Sequence, residues 1–155
     1  MRSATRAYEV LRQEGVVFAL DRAWVKMLLW TNAGKKQVQL NGCTFDLEGV
    51  PEHSTRVNLL TGRYEVQERK AVIKYLPKDM PVIELGGSMG VVACIANKIL
   101  NTPTAHVVIE ANPLVIPHLK KSRELNQCKF EIINKAIAYG PVSYTHLTLP
   151  TIYSV

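Results

Sequence analysis

The stretch Pro81–Asn97, PVIELGGSMGVVACIAN, constrains the fold more than any other part of the chain. Val82 and Ile83 form a short apolar run that reaches an acid, Glu84. Gly86, Gly87 and Gly90 follow within five positions, and then comes a long apolar run suited to a helix. This order predicts a strand, a tight turn and a helix N-terminus, a geometry in which backbone closely approaches a nucleotide-like ligand.

The rhythm continues downstream. Val91–Leu100 is almost wholly apolar and is expected as a buried helix. Asn101–Thr104 is a loop, and His106–Ile109 is a strand that ends on Glu110. Asn112 is expected to cap the next helix, with Pro113 at its first position, where a missing N–H costs nothing. That helix is expected to bury Leu114, Val115, His118, Leu119, Ser122 and Leu125. Lys129–Ile133 reads as a third strand. Strand, helix, strand, helix and strand joined by short loops predict a parallel sheet in an α/β fold.

Upstream, Ser3 is placed to cap a helix running to Gln13, ended by Gly15. Val16–Trp30 is apolar except for Asp21, Arg22 and Lys26, and reads as a second helix with a wide apolar face that includes Trp24, Leu28 and Trp30. Packing onto the main domain is one reading of residues 16–30; peripheral contact with a membrane interface is the other. Val38 and Leu40, then Asn41-Gly42, then Phe45 and Leu47 predict a β-hairpin, because both turn residues must reach positive φ. Ser54 is expected to cap a short helix to Leu60, closed by Thr61-Gly62. A longer helix, Glu65–Leu76, is expected to carry Val66, Ile73 and Leu76 inward, and Pro77 and Pro81 bracket the turn into the glycine-rich stretch.

Charge and cysteine usage exclude several classes. The net charge of +6 comes from scattered residues. The densest group, Lys120, Lys121 and Arg123, has Glu124 beside it, the pattern of an outer helix face, so no nucleic-acid partner is expected. Cys43, Cys94 and Cys128 are far apart and lack metal-ligand spacing. Reduced thiols, no bound metal and a cytoplasmic setting are therefore expected. No apolar run reaches the ~18–20 residues of a membrane span.

The stretch Val142–Val155 contains no Asp, Glu, Lys or Arg. Its ten residues VSYTHLTLPT resemble the conceptual translation of a transposon-end sequencing adapter, with Pro141 and Ile152 consistent with the flanking bases. The expected organisation is an N-terminal helical and hairpin extension over residues 1–62, a partial α/β domain over residues 63–140, and an artefactual tail over residues 141–155.

Two features carry chemistry when read together. One is Glu84-x-Gly86-x-Ser88-x-Gly90 at the strand–helix turn; the other is Glu110, twenty residues beyond Gly90, ending the next strand. In a doubly wound sheet a ligand lies across the C-terminal ends of the strands, the glycine turn offers backbone amides, and an acid at this distance accepts from a ribose diol. Glu84 either touches ligand or orients loop N–H groups, and Glu110 either binds the ribose or positions the next helix turn. Tyr64 and Glu65 either approach the ligand or serve packing and capping. Two rival patterns overlap the loop. Gly86-Gly87-Ser88-Met89-Gly90 has the spacing of a hydrolase nucleophile elbow, which would need a histidine for Ser88 from among His106, His118 and His146. An NAD-binding fingerprint is not matched, since Ser88 stands where its second glycine belongs.

IELGGSMGVVACIAN, then VVIEANPLVIPHLKKSRELN, then FEIINKAIA resembles the FkbM-type S-adenosylmethionine-dependent methyltransferases, over about Glu65–Ala138. The resemblance implies the N-terminal half of a Rossmann-like methyltransferase fold, with three parallel strands, and S-adenosyl-L-methionine as cofactor. It implies that Glu84, Gly86, Gly87, Ser88, Met89 and Gly90 cradle the methionine end of that cofactor. Glu110 would hold its ribose, with Ala111 and Asn112 beside the adenine. It also implies O-methylation of a sugar, glycan or other small hydroxylated acceptor. No catalytic base is assigned, and the oligomeric state is left open. If the authentic chain stops near Gly140, the first strand has an open apolar edge and the 155-residue chain is expected to lack activity, as a non-catalytic fragment.

Overall fold

The computed structural model describes Met27, Trp30, Thr31, residues 34–50 and 52–137, and the backbone of residues 138 and 151–153. The expected helix over residues 3–13 lies outside these, as does the second expected helix except for Met27, Trp30 and Thr31. Those three are helical; the Thr31 hydroxyl donates to the Met27 carbonyl (3.0 Å), and Trp30 is 81% exposed.

The hairpin forms as its alternation predicts. β1 (Gln37–Leu40) pairs antiparallel with β2 (Cys43–Asp46), Val38 opposite Phe45. Asn41 and Gly42 take φ of 50° and 80° at the turn. Val38, Leu40, Phe45 and Leu47 are all buried.

Two helices follow, each differing from expectation in one respect. α1 (His53–Leu60) starts before Ser54, with Glu52 at the N-cap position. Ser54 donates instead to the Glu52 carboxylate (3.3 Å) and caps nothing. α2 (Val66–Tyr75) leaves Ile73 49% exposed and buries Arg69. The Arg69 guanidinium donates to the carbonyls of Tyr64 and Gly62 and to the side chain of Asn41, tying the hairpin tip to the turn before α2. Three ready acceptors make burial of this charge tolerable, and no periodicity rule foresees them.

The α/β part has the strand order and connectivity of the first half of a Rossmann-like sheet. β3 (Val82–Leu85), β4 (His106–Ile109) and β5 (Glu131–Ile133) are parallel and adjacent in that order, connected through α3 (Val91–Ile99) and α4 (Ile116–Leu125). α3 buries Val91, Ala93, Cys94, Ile95, Ala96 and Asn97, as its composition predicts. α4 begins later than expected. The Asn112 carboxamide accepts from the Leu114 N–H (3.0 Å) and makes a local turn; Pro117 sits in the first turn of the helix proper. Leu114 is therefore exposed, while Leu119 and Ser122 face the core.

The two faces of this sheet differ. His106 and Val108 are fully buried on the face covered by α3 and α4. Ile83 and Leu85, which alternate with them through the pairing register, are 70% and 63% exposed on the other. Among the described residues the outer edge of β3 has no partner strand. Beyond β5, β6 (Ala136–Ala138) pairs in parallel with β7 (Thr151–Tyr153), which lies in the uncharged tail.

Hairpin and α/β part share one core, in which Phe45, Leu47 and Leu59 join Val91, Cys94, Val108, Leu119 and Phe130. A side chain stitches the two together. The Asn126 carboxamide accepts from the Thr44 N–H (2.7 Å) and donates to the Thr44 carbonyl (2.8 Å), filling the place of a strand neighbour beside β2. Asn126→Ala leaves both backbone groups without that partner. We expect it to lower stability by about 2–3 kcal/mol in urea denaturation, at the cost of one unmade bond per group.

Candidate active site

The C-terminal ends of β3 and β4 carry the residues that the sequence singles out. The Gly86 N–H donates to the Ile109 carbonyl (2.8 Å) and the Glu110 N–H to the Ile133 carbonyl (3.0 Å), so the sheet ladder runs on into both loops. Gly86 has a φ of 84°, and a Cβ there would meet nothing within 4 Å. Of the three glycines in the turn it is the one that faces open space. Gly87 and Gly90 serve packing: Cβ atoms at these positions would run into Val108 and Leu119, and into Leu119 and Ser122.

Glu110 is the centre of the arrangement. It is only 8% exposed, and both carboxylate oxygens are used. Oε2 accepts from the Ser88 N–H (2.8 Å) and Oε1 from the Asn112 N–H (2.7 Å), so one side chain joins the glycine turn to the loop after β4. Each oxygen keeps lone-pair capacity for a further donor. The two alternatives open for Glu110, a ligand acid or an organiser of the next turn, are compatible in this geometry. On one side of it lies a cleft of ≈ 290 Å³ lined by Gly86, Glu110, Ala111, Lys135 and Ile137 among others; on the other lies a second of ≈ 290 Å³ that includes Ser88, Met89, Asn112 and Leu114. A cavity of ≈ 590 Å³ beside the hairpin and Gly62 lies away from the glycine turn and gathers no titratable side chain beyond Lys35.

Other expected residues are placed differently. The Met89 side chain is buried in the core, and its carbonyl accepts from the Ser122 hydroxyl (2.7 Å), so it offers little to a ligand. Ser88 has a φ of 44°, a conformation that favours glycine, and its hydroxyl bonds the Tyr64 hydroxyl (2.8 Å). None of the hydrogen bonds described for Ser88 involves a histidine: His106 is enclosed, and His118 lies against Gly49. Glu84 sits on the covered face, 3.4 Å from His106 Nε2. The tautomer of that ring follows from its neighbours. The Asn97 oxygen accepts from the Lys129 N–H (2.9 Å), so its nitrogen is the group that donates to the Pro103 carbonyl (2.7 Å) and to His106 Nδ1 (3.3 Å). Nδ1 is then the acceptor and Nε2 carries the hydrogen, which meets no acceptor in hydrogen-bond geometry among the described residues, the Glu84 carboxylate 3.4 Å away included.

One residue missed by sequence reasoning braces the loop after β4. The Asn134 carboxamide donates to the carbonyls of Glu110 (2.7 Å) and Ala111 (3.3 Å), fixing the loop that Glu110 begins. Its place just after the third strand was the available signal, since ligand loops gather at that end of the sheet. Tyr64 and Glu65 bring the start of α2 to the same spot. Glu65 is in the left-handed region, with a φ of 46°. Burial, then the charges of Glu84 and Glu68, push its carboxyl up to about 7. Burial also pushes the Tyr64 hydroxyl up, against the bond to Ser88.

A raised carboxyl binds its proton more tightly in the folded chain than in the unfolded one. Its contribution is fully present below pH 4.5 and is lost as pH rises toward 7. Glu65→Gln should therefore match the parent near pH 4 and exceed it at pH 8. After allowance for solvent screening we expect a gain of about 1 kcal/mol, measured by urea denaturation at the two pH values. Equal differences at both would rule out the ionisation.

No family model matches the chain, and no curated protein does. Among solved structures it is similar to M. jannaschii TYW2 in complex with AdoMet, at 18% identity and a TM-score of 0.47, over 63% of this chain. The chain spans 42% of that protein's length, and a likeness at this level assigns it no activity. Among the described residues, no helix is long and apolar enough to cross a membrane, and no group of His, Cys, Asp and Glu is arranged to hold a metal ion.

Proposed function

We propose that the glycine turn and Glu110 form the cofactor half-site of an S-adenosyl-L-methionine-dependent methyltransferase of the FkbM type, acting on a hydroxyl of a sugar or other small acceptor. The observation that carries this reading is the Glu110 carboxylate, held by the Ser88 and Asn112 N–H groups and lining one cleft together with Gly86. The residues present fit the group. Glu110 retains acceptor capacity for two ribose hydroxyls, Gly86 leaves room for close backbone approach, and Ala111, Ala136 and Ile137 offer small and apolar surface to a base. When bound, the cofactor supplies an electrophilic methyl on a sulfonium. The chain's own share is to hold and align it, and in methyl transfer alignment is a large part of the barrier.

Titration calorimetry of the chain with S-adenosylhomocysteine and, separately, with NAD tests the proposal. Binding of the first alone is expected. Binding of NAD alone, or of neither by a chain shown to be folded, would overturn it.

A further inference from the structure

The three cysteines stand far apart in the chain, yet the fold gathers them. Cys43 comes from β2, Cys94 from the middle of α3, and Cys128 from the turn between α4 and β5. Cys94 is fully enclosed and Cys43 nearly so, while Cys128 is half-buried and reachable from solvent. The Cys128 thiol donates to the Cys94 carbonyl (3.7 Å) and is shared with the Asn126 carbonyl (3.8 Å). Cys94 and Cys128, distant in sequence, are neighbours in the fold.

We propose that Cys94 and Cys128 form a peroxide-reactive thiol pair, with Cys128 as the attacking sulfur and Cys94 as the resolving one. The accessibility difference sets the roles, since only Cys128 can meet a reagent from solution. Its electrostatics agree. The neighbouring Cys94 side chain holds Cys128 below the usual thiol range against the opposing effect of burial, and Lys98 adds to the lowering. Cys94 is pushed far up by the neighbouring Cys128 side chain and by burial, and burial pushes Cys43 up to about 11. The attacking group is thus the one thiol of the three with enhanced thiolate character.

The chemistry balances with hydrogen peroxide as the oxidant. The Cys128 thiolate attacks one peroxide oxygen, the O–O bond breaks, and hydroxide leaves and takes up a proton, giving a sulfenic acid and water. The Cys94 sulfur then attacks the Cys128 sulfur, the S–O bond breaks, and the hydroxyl departs with the Cys94 proton as a second water. Two thiols are oxidised to one disulfide and one peroxide is reduced to two waters. The Cys94 N–H donates to the Gly90 carbonyl (2.9 Å), so the new bond would form one helical turn from the glycine loop.

The test uses the full chain, reduced and then exposed to stoichiometric hydrogen peroxide. Mass spectrometry of the unaltered sequence should show loss of two hydrogens, and peptide mapping should show a Cys94–Cys128 bridge that dithiothreitol reverses. In native protein, N-ethylmaleimide should label Cys128 at least about tenfold faster than Cys43 or Cys94. Cys94→Ser should leave a sulfenic acid at Cys128 that dimedone captures, and Cys43→Ser should leave bridge formation unchanged. A bridge that includes Cys43, bridges only between chains, or no reaction faster than in urea-unfolded protein would each overturn the proposal. The wild-type mapping decides it even if a variant does not fold.

Discussion

Gly87→Val is expected to leave the chain unfolded, whereas Gly86→Ala is expected to fold with a loss of only about 1–2 kcal/mol. The two glycines are adjacent, and the contrast isolates packing from backbone freedom. Gly87 has no positive φ, so a side chain there meets no conformational objection. Its obstacle is space. A Cβ would overlap Val108 Cγ1, on the central strand, and stand 3.0 Å from Leu119 Cδ2 on α4. Both neighbours are fully buried, and Val108 cannot retreat without moving β4, which is paired on both sides. Overpacking of this kind costs about 1–3 kcal/mol for a single carbon, and the branched valine adds further overlaps. The sum approaches the ~5 kcal/mol at the low end of domain stabilities. Gly86→Ala pays only for its left-handed backbone, because its Cβ would project into open space. Circular dichroism melts of the two variants measure the difference. A cooperative Gly87→Val melt near that of the parent would mean that α4 is not seated against the turn in this way.

What was legible in the sequence was local. Asn41-Gly42 between alternating apolar residues is a statement about two φ angles and a pleat, and it suffices for the hairpin. Pro81–Asn97 states a strand, a turn and a buried helix within seventeen residues, and Glu110 states where the next strand ends. The errors arose where a side chain's partner is distant in sequence. Nothing local marks Arg69 for burial; its acceptors on Gly62, Tyr64 and Asn41 meet it only in the fold. Asn126 reads as a helix end until Thr44 is beside it. The cysteines are separated in the chain by 51 and 34 positions (94 − 43 and 128 − 94), and only the packing of β2, α3 and the turn after α4 joins them. Periodicity reports which face of an element is apolar; it does not report what that face meets.

Glu110→Ala is expected to lower stability by about 2–5 kcal/mol, because two shielded N–H groups, those of Ser88 and Asn112, lose a charged acceptor at once. Glu110→Gln separates this structural duty from ligand recognition. Glutamine keeps the length and one acceptor oxygen, but its other terminus presents N–H₂ to an N–H. One of the two bonds to the loops is therefore lost, and we expect a milder loss of about 1–3 kcal/mol. A ribose diol needs two acceptors, so under the proposed function the same change should weaken S-adenosylhomocysteine binding by about thirtyfold or more, the worth of a hydrogen bond to a charged group. Urea denaturation measures the first effect, and calorimetry on protein shown to be folded measures the second. Their outcomes are independent. Full stability in Glu110→Ala would mean that the carboxylate does not hold the two loops together. Parental affinity in a destabilised Glu110→Gln would mean that the carboxylate organises the turn and leaves the ribose to other groups, of which Asn134, already bonded to the Glu110 and Ala111 carbonyls, is the nearest on the same loop edge.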